Sequence, residues 1–126
     1  MGQASKQDRI VWADIPVSDL TRASKFYSRV LAIEVTQESF EGSAFAVLAH
    51  GAGSGACLII KPEDVTEHGP LIYWQVEGRL ADAVQQACLT GGQLLEPAHP
   101  IGPHGWRAIV RDSEGNRLAL HSEAAP

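Results

Sequence analysis

Cysteine is scarce in this chain: the two present, Cys57 and Cys88, form no CxxC pair and no framework spacing. That excludes a disulfide scaffold and a thiolate zinc site, and both side chains are expected as buried free thiols. Long apolar runs are missing too, so nothing approaches the roughly 18 or more residues that a membrane span requires. The first ten residues, MGQASKQDRI, lack the apolar stretch of a secretory signal, which leaves the cytoplasm as the expected location. Positive charge is also short. A net charge of -5 disfavours the phosphate-neutralising surface of a nucleic-acid binder and points to a small molecule as partner.

What remains is ordinary globular material: 126 residues, 44% hydrophobic and 20% charged, enough for one compact domain burying roughly two-thirds of its unfolded surface. Residues 10–17 read as a strand. Ser18-Asp19 then supplies a polar cap, and Leu20, Ala23, Phe26, Tyr27, Val30 and Leu31 recur at helical spacing. Three strands follow at residues 33–40, 43–50 and 56–61, separated by Glu41-Gly42 and by the glycine-rich run 51–55. That run lacks the lysine and hydroxyl residue of a phosphate loop and reads as a turn.

The same pattern then recurs. Residues 71–76 read as a strand, and Leu80, Ala83, Val84, Ala87 and Cys88 as one helical face stopped by Gly91-Gly92. Strands are expected at 93–96, 106–111 and 117–122, the last two joined by the tight turn 112-DSEGN-116. Residues 97–105, PAHPIGPHG, read as a loop, because its prolines exclude the helix that a His-x4-His metal pair at His99 and His104 would need. Segment 44–60 also lies on 106–122 without a gap, setting Ala46 on Ala108, Gly53 on Gly115 and Leu58 on Leu120. Two repeats are too few for a solenoid and indicate paired modules sharing one core.

Three stretches carry a family likeness: 12-WADIPVSDLTRASKFYSRVLAIEV-35, with its RA..FY..VL signature, the strand and helix of residues 71–92, and 101-IGPHGWRAIVRDSEGNRLALHS-122, with a closing hairpin. Together they resemble the vicinal oxygen chelate superfamily of glyoxalase I, bleomycin-resistance proteins and extradiol dioxygenases, over residues 10–122. The resemblance implies an α+β fold of two tandem βαβββ modules, forming a curved mixed sheet around a groove. Module one would be 10–61, a linker 62–70 and module two 71–122, with a flexible segment at 1–9 and a tail at 123–126. It also implies a homodimer.

In the metal-dependent relatives, four strands each present one histidine, glutamine or glutamate to a divalent cation. By position these ligands fall here on Trp12, on Ile59 or Cys57 depending on how the glycine-rich turn is aligned, on Leu71 and on Ala119. None of these is an ordinary ligand for such a cation, apart from a deprotonated Cys57. No metal and no cofactor are therefore expected.

Strand alternation extends those positions into a groove lining: Trp12, Asp14, Cys57, Ile59, Lys61, Leu71, Tyr73, Gln75, Arg117, Ala119 and His121. The opposite parity, from Ile15 and Val17 through Leu58, Ile60, Ile72, Val76, Leu118 and Leu120, is apolar and expected beneath the helices. Trp106, at the exit of the proline-glycine loop, is a further candidate wall. Aromatic walls with a few polar groups suit a small aromatic or amphipathic ligand, with Lys61, Arg117 or His121 as polar anchors unless Asp14 pairs with Arg117. Three functions stay open: a metal-free binding protein of the bleomycin-resistance type, an enzyme using Asp14 and His121 or an unorthodox metal site, and an assembly subunit.

Overall fold

The computed structural model describes residues 8–126; of the segment expected to be flexible, residues 1–7 lie outside it. Strand β1 (Trp12–Val17) leads to helix α1 (Leu20–Leu31) and then to β2 (Val35–Phe40), β3 (Ser43–Leu48) and β4 (Gly55–Ile60). The second module repeats this with β5 (Ile72–Gln75), α2 (Leu80–Leu89), β6 (Gln93–Pro100), β7 (Trp106–Arg111) and β8 (Arg117–Ser122). The α+β fold is thus two βαβββ modules, each a four-stranded mixed sheet, in the orders β1-β4-β3-β2 and β5-β8-β7-β6. β1 runs parallel to β4 and β5 parallel to β8, so β1 and β5 are the equivalent edge strands.

Helix α1 begins where Asp19 accepts a hydrogen bond from the Arg22 N–H at 3.0 Å, and it ends at Ala32, in the left-handed region with φ 55°. Its buried stripe is Leu20, Ala23, Phe26, Tyr27 and Val30. These residues join Ile15, Val17, Leu58, Val76, Leu80, Leu118 and Leu120 in one core shared by both modules, as the strand parity requires. Ile60 departs from that expectation. It is 52% exposed, being the last residue of β4 before the chain leaves the sheet. Cys88 departs as well: it is exposed on α2, because the buried stripe of that helix stops at Ala87 and the next residue turns roughly 100° away.

The modules are joined by side chains of the β7–β8 turn. Tyr27 on α1 donates to the Asp112 carboxylate at 2.6 Å, and the Asn116 amide donates to the Pro16 carbonyl at 2.8 Å. Burial comes first in raising the Tyr27 pKa and the adjacent carboxylate adds to it, so the phenol stays protonated as donor. Glu114 accepts from the N–H groups of Ser18 and Asp19, at 2.9 and 2.8 Å, and from Arg22 at 2.7 Å. Burial pushes the Glu114 carboxyl up, but the guanidinium, the two backbone donors and the Ser113 hydroxyl outweigh it and hold the pKa at about 2.

Candidate functional site

Edge strands β1 and β5 face each other across a cavity of about 690 Å³. Its walls include Trp12, Leu48 and His50 from module one, and Leu71, Tyr73, Trp74 and Gln75 at the start of module two. A second cavity, of about 610 Å³, opens on the inner face of the first sheet between Trp12, Asp14, Glu38, Phe45, Val47, His50 and Cys57. Trp12 and His50 line both cavities, their rings edge-on at 5.2 Å. Gly55 makes room for that pair: a Cβ there would sit 2.8 Å from the His50 ring and 2.9 Å from the indole of Trp12.

The four positions of the family's metal ligands can now be compared. Asp14 opposes Cys57 on β4 as Tyr73 opposes Ala119 on β8, so the module-one position equivalent to Ala119 is Cys57. Its thiol donates to the Asp14 carboxylate at 3.2 Å, and burial pushes its pKa up, which disfavours the thiolate a metal would need. The remaining positions offer an indole, an isobutyl group and a methyl group. Among the described residues no three His, Cys, Asp or Glu side chains cluster as a metal site would require. This donor set does not fit a divalent cation of the family's kind.

Of the other predicted residues, Trp12, Leu71, Tyr73 and Gln75 meet at the seam cavity, and Asp14 lies in the neighbouring one. Ile59 is half-buried opposite Phe45 on the inner face of the first sheet. Lys61 stands at the end of β4 and is paired with Asp64 at 3.1 Å. Ala119 is fully buried. Arg117 donates to the Gly69 carbonyl at 3.2 Å and is not paired with Asp14; its Nε is buried without a partner. His121 Nε2 bonds the His104 carbonyl at 2.7 Å, which makes that nitrogen the donor and leaves Nδ1 as acceptor. Asp14 and His121 therefore sit in separate networks.

Trp106 is not on this face. It opposes the fully buried Ser122 and packs against the core, because its neighbour Arg107 takes the inward parity opposite His121. The expected loop at 97–105 also differs, since β6 continues through Pro100 and places His99 opposite Arg107. β6 is an edge strand, where proline costs no ladder bond on the solvent side.

His50, Phe45 and Glu38 line the second cavity and Arg107 stands beside Tyr73 outside both linings; the sequence reading gave none of these four a site role, and it set His99 in a loop. Arg107 donates to His99 Nε2 at 3.1 Å and to the Tyr73 hydroxyl, with its guanidinium 5.8 Å from the centre of the Tyr73 ring. Counting parity back along β7 from the Asp112–Asn116 turn would have found it.

Two βαβββ modules sharing one core, with a cavity between their first strands, define the vicinal oxygen chelate architecture. The Glyoxalase/Bleomycin resistance protein/Dioxygenase superfamily profile matches residues 9–120, and the chain belongs to that superfamily. A glyoxalase/bleomycin resistance protein from Albidiferax ferrireducens superposes with TM-score 0.74 at 15% identity, covering 93% of this chain and 100% of that one. A glyoxalase-related enzyme from Fulvimarina pelagi gives 0.70 at 16% identity, covering 91% and 88%. A variant of the fosfomycin resistance protein FosX from Listeria monocytogenes, complexed with Mn(II) and 1S,2S-dihydroxypropylphosphonic acid, gives 0.67 at 15% identity, covering 91% and 92%. At these identities the likeness establishes the fold alone. No curated protein matches the sequence. Among the described residues no helix is long and apolar enough to cross a membrane.

Proposed function

We propose that this protein binds a small aromatic or amphipathic molecule at the seam of its modules, without a metal ion, in the manner of a bleomycin-resistance-type sequestering protein. The observation that carries this reading is the seam cavity itself, about 690 Å³ and walled by Trp12, Leu71 and Tyr73. Pockets of roughly 300–1,000 Å³ with apolar walls and few polar groups are the usual form of a small-molecule site. Indole and phenol rings supply large contact areas at little conformational cost. Metal independence is supported by the poor donor set at the four ligand-equivalent positions. An acid/base enzyme is less well supported, because it needs Asp14 and His121 to act on one substrate.

The test is calorimetric titration with naphthalene-2-methanol, a neutral probe with a planar apolar body. Binding is expected, and Trp12→Ala should weaken it by about tenfold or more, as loss of an aromatic anchor does. Unchanged affinity in Trp12→Ala and Leu71→Ala would place binding elsewhere, and no heat from the native protein would overturn the reading.

A homodimer belongs to the same proposal. The family resemblance implies it, and the exposed side chains of Phe40, Ile60 and Leu94 offer apolar surface for a twofold contact. Light scattering should give about twice 13.5 kDa, and a mass of 13.5 kDa at every concentration would contradict it.

A further inference from the structure

Arg107 is set apart from the paired cations by what surrounds it. Arg22, Lys61, Arg79 and Arg111 each have a carboxylate within ion-pair distance, whereas among the described residues Arg107 has none. Its two protein acceptors are neutral. The Nδ1 of His99 bonds the Pro97 carbonyl at 2.9 Å and must donate there, so Nε2 is the lone pair that accepts from Arg107. The second acceptor is the Tyr73 oxygen.

This arrangement aims the guanidinium without neutralising it. The remaining guanidinium N–H groups are uncommitted, and the hydroxyl proton of Tyr73, whose oxygen already accepts, is directed to some other acceptor. Tyr73 is also held edge-on to the His121 ring at 6.4 Å, is 46% exposed and lines the seam cavity. An oriented, half-buried guanidinium beside a free phenolic donor matches the fork geometry of a carboxylate. We propose that Tyr73, which lines the seam cavity, and Arg107, which bonds it from outside that lining, form an anion subsite beside the cavity, and that the ligand is an apolar molecule carrying a carboxylate. This rests on the seam cavity as binding site and adds the polarity of its ligand.

The experiment compares 2-naphthoate, naphthalene-2-methanol and 2-naphthylmethylamine by calorimetry on the native protein, Arg107→Gln and Tyr73→Phe. The naphthoate should bind about tenfold or more tighter than the alcohol, and the amine weakest. Arg107→Gln should bring naphthoate close to the level of the alcohol while lowering the alcohol's own affinity far less, a selective loss that a merely structural role would not give. Tyr73→Phe should remove part of the preference, and added salt should shrink it. A preference for the amine, or a naphthoate preference surviving both substitutions, overturns the subsite and leaves the cavity reading intact. Failure of all three probes to bind overturns both.

Discussion

Replacing Asp112 by alanine is expected to destabilise the protein by about 3–5 kcal/mol, since several neutral donors lose one acceptor together and each buried donor left unsatisfied costs roughly 1–3 kcal/mol. Asp112 is 1% exposed. One oxygen accepts from the N–H groups of Glu114, Gly115 and Asn116, each at 2.9 Å, and the other from the Tyr27 hydroxyl at 2.6 Å and the Asn116 amide at 3.0 Å. Alanine leaves the buried Tyr27 hydroxyl and Asn116 N–H without their acceptor and strips the part-buried turn N–H groups of theirs, while the Asn116 amide keeps only its bond to Pro16. The damage should reach the site, since Tyr27 packs on Trp74 at 5.6 Å and Trp74 lines the seam cavity. Urea unfolding measures the loss. Asp112→Asn, which keeps an acceptor for the turn, should lose less than half as much. A cost below about 1 kcal/mol for the alanine variant would show that module docking does not depend on this turn.

Gly92→Ala is expected to be nearly as harmful, costing about 3 kcal/mol or preventing folding, as overpacking against fixed backbone does. A Cβ at Gly92 would overlap the Arg111 carbonyl and stand 2.7 Å from the Phe26 ring and 2.9 Å from the Ala87 carbonyl. Those neighbours belong to β7, α1 and α2, so no single element can move aside without unpacking the others. By contrast, Gly78→Ala meets no atom within 4 Å and carries only the strain of a positive φ. Thermal unfolding should separate the two clearly, and equal melting temperatures would contradict the packing described.

Much of the fold was legible because its strands obey a simple alternation. Ile15, Val17, Leu118 and Leu120 alternate with Asp14, Arg117 and His121, and the structure buries the first set beneath the helices. Helix α1 was marked by its Asp19 cap and its apolar stripe, and the Asp112–Asn116 turn by its composition. The site was less legible because alternation fails where registry slips. β6 shifts register between Leu94 and Glu96 and again between Glu96 and His99, so parity counted from the sequence cannot place His99. Pro97 and Pro100 concealed the second half of the strand, which is expected only over 93–96 and runs through Pro100. Trp106 drew attention by its size, yet the inward residue is its neighbour Arg107. Burial also overrides parity: Ala119 has the inward parity, but it is fully buried.

The seam cavity is expected to bind its ligand with no metal present. The direct measurement is the calorimetric titration of 2-naphthoate into protein stripped with EDTA, repeated after adding one equivalent of zinc, nickel, iron or manganese, with elemental analysis of the protein as purified. Equal affinity in every case and no stoichiometric metal are predicted, because Trp12, Cys57, Leu71 and Ala119 stand where the ligands would be. Binding that appears only when one metal ion per chain is restored would contradict it.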